Sequence, residues 1–218
     1  DGGLCAGSPI AKVKQPESLA LLQRGEIAVG SSDGTIQIFN AAGKLLWTLT
    51  GHNGPVKSIA VGPAGALAST AYDGIRLWKG ETSRLIPREW IFGIGFAPDG
   101  DLLALTGSSS GLETLRVYGS DGEERRTLDL RQAVPSQGPG TAPSFRVAFS
   151  PDASSVALAG HGRWIALIDT ATGERLPRQL LKRACGALAF SPDAAFLAAA
   201  DDKEVRLCEA KTGKETRR

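Results

Sequence analysis

His52 is one of two histidines in the chain, and two hydroxyls, Ser69 and Thr70, and a carboxylate, Asp73, follow it closely. An aspartate that orients an imidazole, which in turn activates a serine, is the chemistry of a hydrolase. This set is therefore the first candidate for catalysis, with Trp78 just beyond it and Asp33 before it in the same Asp-Gly context. Few other chemistries are open. His161 stands between two glycines and Cys5, Cys185 and Cys208 are scattered, so no metal cluster is expected. An odd cysteine count without regular spacing is no disulfide framework and reads as free, buried thiols. The chain has no Cys-x-x-Cys-His haem attachment, phosphate loop or nucleophile elbow, and no cofactor is expected.

Bulk properties narrow the setting. Of 218 residues, 42% are hydrophobic and 22% charged, too apolar a mixture for a disordered chain. No stretch approaches the roughly 20 consecutive apolar residues that span a bilayer, so membrane insertion is not expected. With 25 basic against 23 acidic residues the net charge is +2, which gives no electrostatic case for nucleic acid. The 27 glycines and 12 prolines suit many short strands joined by many turns. The chain begins at Asp1 and contains no methionine, which reads as a processed, trimmed or incompletely known chain. The compartment stays open, with the cytoplasm favoured. Alanine richness and arginine in excess of lysine point to a GC-rich bacterial source.

The elements that would position His52 and its neighbours come from a repeat. One phrase, small-apolar residues ending on Pro-Asp or Pro-Ala, recurs at Ala60–Ala64, Phe96–Gly100, Phe149–Asp152 and Phe190–Asp193. A second, alternating phrase ends at Phe39, Trp78, Tyr118, Ile168 and Cys208, in steps of 39, 40, 50 and 40. The long step contains an insertion, Ala133 to Pro143, rich in Pro, Gly and Ser. Each unit reads as four strands. The first stops at the Pro-Asp turn, where proline would interrupt a ladder. The second and third are joined by tight turns such as Asp33-Gly34 and Asp73-Gly74. The third and fourth are joined through Gly43, Gly173 or Gly213. Four antiparallel strands in about 40 residues make a β-propeller blade, which must stack on a neighbour to bury its faces.

The expected fold is therefore all-β, with about five blades. They cover approximately 18–50, 51–86, 87–130, 144–180 and 181–218, with an inserted loop at 131–143. Residues 1–17 form an N-terminal segment in which Ser8 to Lys14 is a candidate closing strand. Either the five blades close a ring or they are part of a larger propeller of about seven, completed by other sequence or other subunits.

These phrases resemble the WD-repeat family from about Ser18 to Thr216. The second copy resembles it best, with Gly51-His52 before its first strand, Asp73 in its second turn and Trp78 ending its third strand. The resemblance implies that His52, Ser69 (or Thr70), Asp73 and Trp78 form a structural hydrogen-bonded set and not a catalytic triad. The other copies depart from the pattern: Phe39, Tyr118, Ile168 and Cys208 replace the tryptophan, and none of them has Gly-His before its first strand.

The resemblance also implies a binding function, without enzymatic activity. The chain is expected to be a scaffold or regulatory module that docks a protein or peptide partner on the face carrying the second-to-third turns. Candidate contacts are Lys57, Trp90, Phe92, Phe145, Arg146, Arg163, Trp164 and Arg183, because aromatics at loop ends beside arginines are typical interface anchors. Ser18 and Gly186 occupy the matching channel-facing register in the first and last units. The competing reading is that the aromatics merely fill the channel mouth or pack under the insertion. Two other functions remain open: a quinoprotein-like or peptidase-associated enzymatic or redox propeller, and a permanent structural subunit of a large assembly.

Overall fold

A computed structural model describes residues 13–109, 111–134, 145–160, 164–176, 179–180, 185–201 and 203–217. Residues 8–12 of the candidate closing strand at Ser8 to Lys14 lie outside them, as do Cys5, His161 and all of the insertion after Val134. The described residues form twenty strands and one short 3-10 turn, Pro63–Gly65.

The strands make five four-stranded antiparallel sheets, each a simple meander in chain order. The first holds β1 (Pro16–Leu21), β2 (Ile27–Ser31), β3 (Ile36–Phe39) and β4 (Leu45–Leu49). The second holds β5 (Ser58–Val61), β6 (Leu67–Ala71), β7 (Gly74–Lys79) and β8 (Thr82–Ile86). The third holds β9 (Ile91–Phe96), β10 (Leu102–Ser108), β11 (Gly111–Tyr118) and β12 (Glu124–Asp129). The fourth holds β13 (Arg146–Phe149), β14 (Ser155–Gly160), β15 (Trp164–Asp169) and β16 (Gln179–Leu180). The fifth holds β17 (Ala187–Phe190), β18 (Phe196–Ala200), β19 (Val205–Glu209) and β20 (Glu215–Arg217). These are five propeller-type blades. The backbone divides into two compact units, Asp1–Arg88 with the first two sheets and Glu89–Arg218 with the other three.

The recurring phrases become strands for local reasons. In the first turns of the fourth and fifth sheets, serine and aspartate cap one another. Ser150 Oγ donates to Asp152 Oδ1 at 2.6 Å, which also accepts from Ser154 N, and Ser191 Oγ and Asp193 Oδ1 repeat the pair at 2.5 Å. The alternation of the strands then sets the packing. In the first unit, Ala28, Ile36, Ile38 and Leu49 of the first sheet meet Leu67 and Trp78 of the second and Val56 of the loop that leads into it. In the second unit, Leu105, Leu115, Leu130, Val156, Leu158, Trp164 and Ile168 form one apolar cluster, and Ala157, Ile165, Leu197 and Ala199 help form another. Gly95 on β9 allows the third and fourth sheets to approach closely, since a Cβ there would come within 2.6 Å of the Phe149 ring.

Candidate functional site

The first candidate lies in the second sheet. β6 supplies Ser69, β7 supplies Trp78, and the tight turn between those strands supplies Asp73; His52 comes from the loop entering the sheet. The turn needs glycine at its far side. Gly74 has φ +135°, and an added Cβ would collide with the Ile86 carbonyl. His52 Nδ1 lies 2.6 Å from Asp73 Oδ1, and His52 Nε2 lies 2.7 Å from Ser69 Oγ. Trp78 Nε1–H donates to the same Ser69 Oγ at 2.8 Å. Thr70, the other hydroxyl considered, is buried in the adjacent position. Arg76 holds the periphery, donating to the Gly51 carbonyl at 2.6 Å and to Ser83 Oγ at 2.8 Å, with Asp73 Oδ2 at 3.4 Å.

The protons follow from this geometry. Burial lowers the His52 pKa below its ordinary value, against the hydrogen bond and charge of Asp73, so the ring is neutral at neutral pH. Burial alone would raise the Asp73 carboxyl, but hydrogen bonds from His52 and the Asn53 N–H and the charge of Arg76 outweigh it and keep it below the usual carboxylate range. The neutral ring carries its proton on Nδ1, facing the carboxylate. Ser69 accepts from Trp78, so its own O–H donates to Nε2. Every donor in the set has an acceptor, as buried polar groups require.

The same arrangement differs from that of a hydrolytic triad. Ser69 is 0% exposed, and its oxygen is engaged by Trp78 on one side and His52 on the other. No substrate carbonyl can reach it. The set ties the incoming loop, the turn and two strands together. Among the described residues, no group of three or more His, Cys, Asp or Glu side chains is placed to hold a metal ion. Burial pushes the Cys185 and Cys208 thiols up, away from the reactive thiolate.

The second candidate is aromatic and lies in the second unit. Phe92 and Phe145 stack edge to face with ring centroids 5.1 Å apart, and Phe145 leans on Trp164 at 6.1 Å. Phe92 and Phe145 are half-buried against the cluster that contains Leu130, Ala133 and Val134, the start of the insertion. Trp164 is only 3% exposed. It belongs to the floor of this cluster and is not an exposed anchor, because β15 turns it into the core beside Leu158. Trp90 differs from all three: it is 46% exposed, and its backbone adopts φ +53°. Its carbonyl accepts from the Gly107 N–H at 3.1 Å, which fixes it at the end of β9. Arg146 is exposed and donates to the Gly186 carbonyl at 3.0 Å. Lys57, in the first unit, is exposed and pairs with Glu17 at 3.1 Å. Ser18 donates to the Val56 carbonyl at 2.7 Å. Arg163 and Arg183 lie outside the described residues.

Residues 43–79 and 182–209 match the WD40 family model, described as WD domain, G-beta repeat. The first match takes in His52, Ser69, Asp73 and Trp78; the second falls on the fifth sheet, which has Cys208 at the tryptophan position. A curated relative is the Periodic tryptophan protein 2 homolog of Schizosaccharomyces pombe, 31% identical over 177 residues. The alignment covers 71% of this chain and 20% of that protein, so the chain spans about a fifth of the relative's length. The relative is eukaryotic, and the bacterial source read from composition has no support from it. WD40 repeats as a family mediate protein–protein interaction.

Two contributors escaped the residue-type reading. Arg76 had a signal, since arginine recurs at the same place in the third-strand phrase as Arg116 and Arg206. In the structure each reaches the fourth strand of its own sheet: Ser83, Glu124 and Glu215. The backbone of Trp90 had none, because nothing in an Arg-Glu-Trp-Ile stretch announces a positive φ.

Proposed function

We propose that this chain is a non-catalytic interaction scaffold, and that a protein or peptide partner docks on the rim formed by Trp90, Phe92 and Phe145. The observation that carries this reading is Trp90. A bulky side chain at φ +53° is rare and costs roughly 1–2 kcal/mol of local strain. Folding stability gains little from such a residue when 46% of its surface faces solvent. A large aromatic held outward by a strained backbone, two residues before the stacked Phe92, fits an interface anchor. Arg146, which follows Phe145 in the chain, supplies an exposed cation, and Arg163 and Arg183 are candidates for the same role. Lys57, in the first unit, is a separate candidate contact, since its exposed ion pair with Glu17 is readily exchanged.

The test is affinity capture with the 218-residue chain, followed by crosslinking to locate the contact. Trp90→Gly removes the anchor and relieves the strain. It should lose the captured protein while unfolding at no lower temperature. Undiminished capture by Trp90→Gly would sink this reading.

A second surface supports completion by another blade. Ser18 and Ala20 face the second sheet, so the alternation of β1 turns Leu19 and Leu21 the other way, where they are 66% and 70% exposed. A further blade, from the same protein or another subunit, would cover them. The double change Leu19→Lys and Leu21→Lys should then lower the native mass of the assembly, and an unchanged mass argues against it.

A further inference from the structure

The fourth strand closes each sheet, and among the described residues no strand pairs with its outer edge. Such an edge offers unpaired N–H and C=O groups to any extended chain, and proteins commonly guard it with charge. β12 carries Glu124, Arg125, Arg126 and Asp129; β20 carries Glu215 and Arg217; β8 carries Arg84. β4 reads Leu-Leu-Trp-Thr-Leu and has no charge at all. Leu45, Leu46 and Trp47 are nonetheless 44%, 37% and 39% exposed. The bulge in β4 opposite Phe39 has counterparts in β12 and β20, and β16 is also uncharged but has only two residues, Gln179–Leu180, so β4 is set apart by lacking charge along five residues.

A cleft adjoins this edge on the side facing the second sheet. Its volume is about 310 Å³, and Ile38, Trp47 and Leu49 line it from the first sheet, with Leu67 and Trp78 from the second. Gly65 and Gly80 also border it, and a Cβ on either would meet no heavy atom within 4 Å, so the mouth is open. Glu81 completes the lining with an exposed carboxylate. Ligand pockets start at about 300 Å³, so the space suits one large side chain better than a whole small molecule.

We propose that β4 and this cleft form a docking surface for an extended segment of a partner protein. The segment adds to β4 as a further strand, places one apolar side chain in the cleft, and sets a neighbouring lysine or arginine against Glu81. Main-chain hydrogen bonds supply the affinity, and the cleft and carboxylate supply the selectivity. A second copy of this chain, whose Lys44 precedes its own Leu45, is the competing occupant, and the concentration dependence of β4 protection separates it from a partner segment. The surface is independent of Trp90.

The probe is a library of nine-residue peptides with one fixed central leucine and all other positions randomised. Selection on the 218-residue chain should enrich lysine or arginine next to the leucine. The selected peptide should slow hydrogen exchange of β4 amides. Leu46→Lys, which charges the edge, should weaken its binding at least tenfold, and Glu81→Lys, on an exposed turn, should turn the preference towards aspartate and glutamate. Trp90→Gly should leave this binding unchanged. Unselective enrichment, or selected peptides that leave β4 exchange untouched and bind Leu46→Lys equally, would overturn the proposal. So would β4 protection that grows with protein concentration in the absence of peptide, because the occupant would then be a second copy.

Discussion

The second and fourth sheets share one frame and hold it by opposite means. In the second, Leu67 pairs with Trp78 across β6 and β7, and Ser69, two residues on, anchors the polar set. In the fourth, Val156 pairs with Ile168 across β14 and β15, and the residue two further on is Leu158. Leu158 and Ile168 are both 0% exposed and join the largest apolar cluster. The matching positions elsewhere are Val29, Ala104 and Ala199, all apolar and buried. A blade therefore does not need the hydrogen-bonded set to fold. Where the set is absent, side-chain volume does its work; where it is present, removing one member leaves others buried and unsatisfied.

The largest effect should come from the apolar version. Leu158→Ala empties a site packed on every side and should cost about 3–4 kcal/mol, as core leucine truncations do. Urea unfolding should show this loss equally at pH 5 and pH 7. Ser69→Ala removes less volume but strands the Trp78 N–H and His52 Nε2, and should cost about 2–3 kcal/mol. If Ser69→Ala proves harmless in the same measurement, the polar set is not what holds the second sheet.

The pH response separates the two versions further. The pKa of His52 is lower in the folded protein than in the unfolded chain, so the unfolded chain takes up a proton first as the pH falls. The His52 contribution is fully present above about pH 6.5, the ordinary histidine value, and is lost as the pH falls through the folded value. Each unit of displacement is worth about 1.4 kcal/mol. Asp73 behaves likewise in a lower window, holding its contribution above its ordinary value of 3.8 and losing it as the pH falls through its depressed one. His52→Gln should flatten the stability slope between pH 7 and pH 5 and leave any carboxylate step below it. A slope unchanged in His52→Gln would mean that the ring is not held neutral.

This contrast also explains what could be read before the structure. The blades were legible because each recurring phrase combines strand alternation with a turn signal: Ile75 to Trp78 alternates in β7, and Asp73-Gly74 makes its turn. The polar set was legible through the resemblance of the second copy to the WD-repeat family, because His52, Asp73 and Trp78 stand at that family's positions, whereas residue types alone suggested a catalytic triad. Burial of Trp164 was not legible. The residues just before it in sequence, Gly160 to Arg163, are polar or glycine and read as a turn, and only the pairing of β15 with β14 shows which way it points. The open edge of β4 was hidden for a similar reason: Leu45 to Leu49 reads as an apolar strand whether or not another strand covers it. Positive φ at non-glycine residues is the least legible feature, since it is imposed by the turn and leaves no compositional mark.

That last feature gives the smallest effect and a fine test of the comparison. Ala64 in the first turn of the second sheet and Ala153 in the first turn of the fourth adopt the same left-handed conformation, with φ +54° and +55°. The third sheet has Gly100 in its corresponding turn, with φ +93°. The two alanines differ in their surroundings: Ala64 is exposed, whereas Ala153 is 7% exposed and packs in the apolar cluster. Glycine at either position relieves roughly 1–2 kcal/mol of backbone strain and gives back about 0.5–1 kcal/mol through the freer unfolded chain. For Ala64→Gly nothing else changes, so a gain of about 0.5–1 kcal/mol is expected, or a rise of about 2–4 °C in Tm at most for a chain of this size. For Ala153→Gly a buried methyl worth about 0.8 kcal/mol is also lost, and the gain should vanish. A clear rise in Tm for Ala64→Gly with none for Ala153→Gly would show that the fourth sheet relies on packing even in its turns. Equal gains at both positions would mean that the Ala153 methyl contributes nothing, and that reliance on packing stops at the ends of the strands.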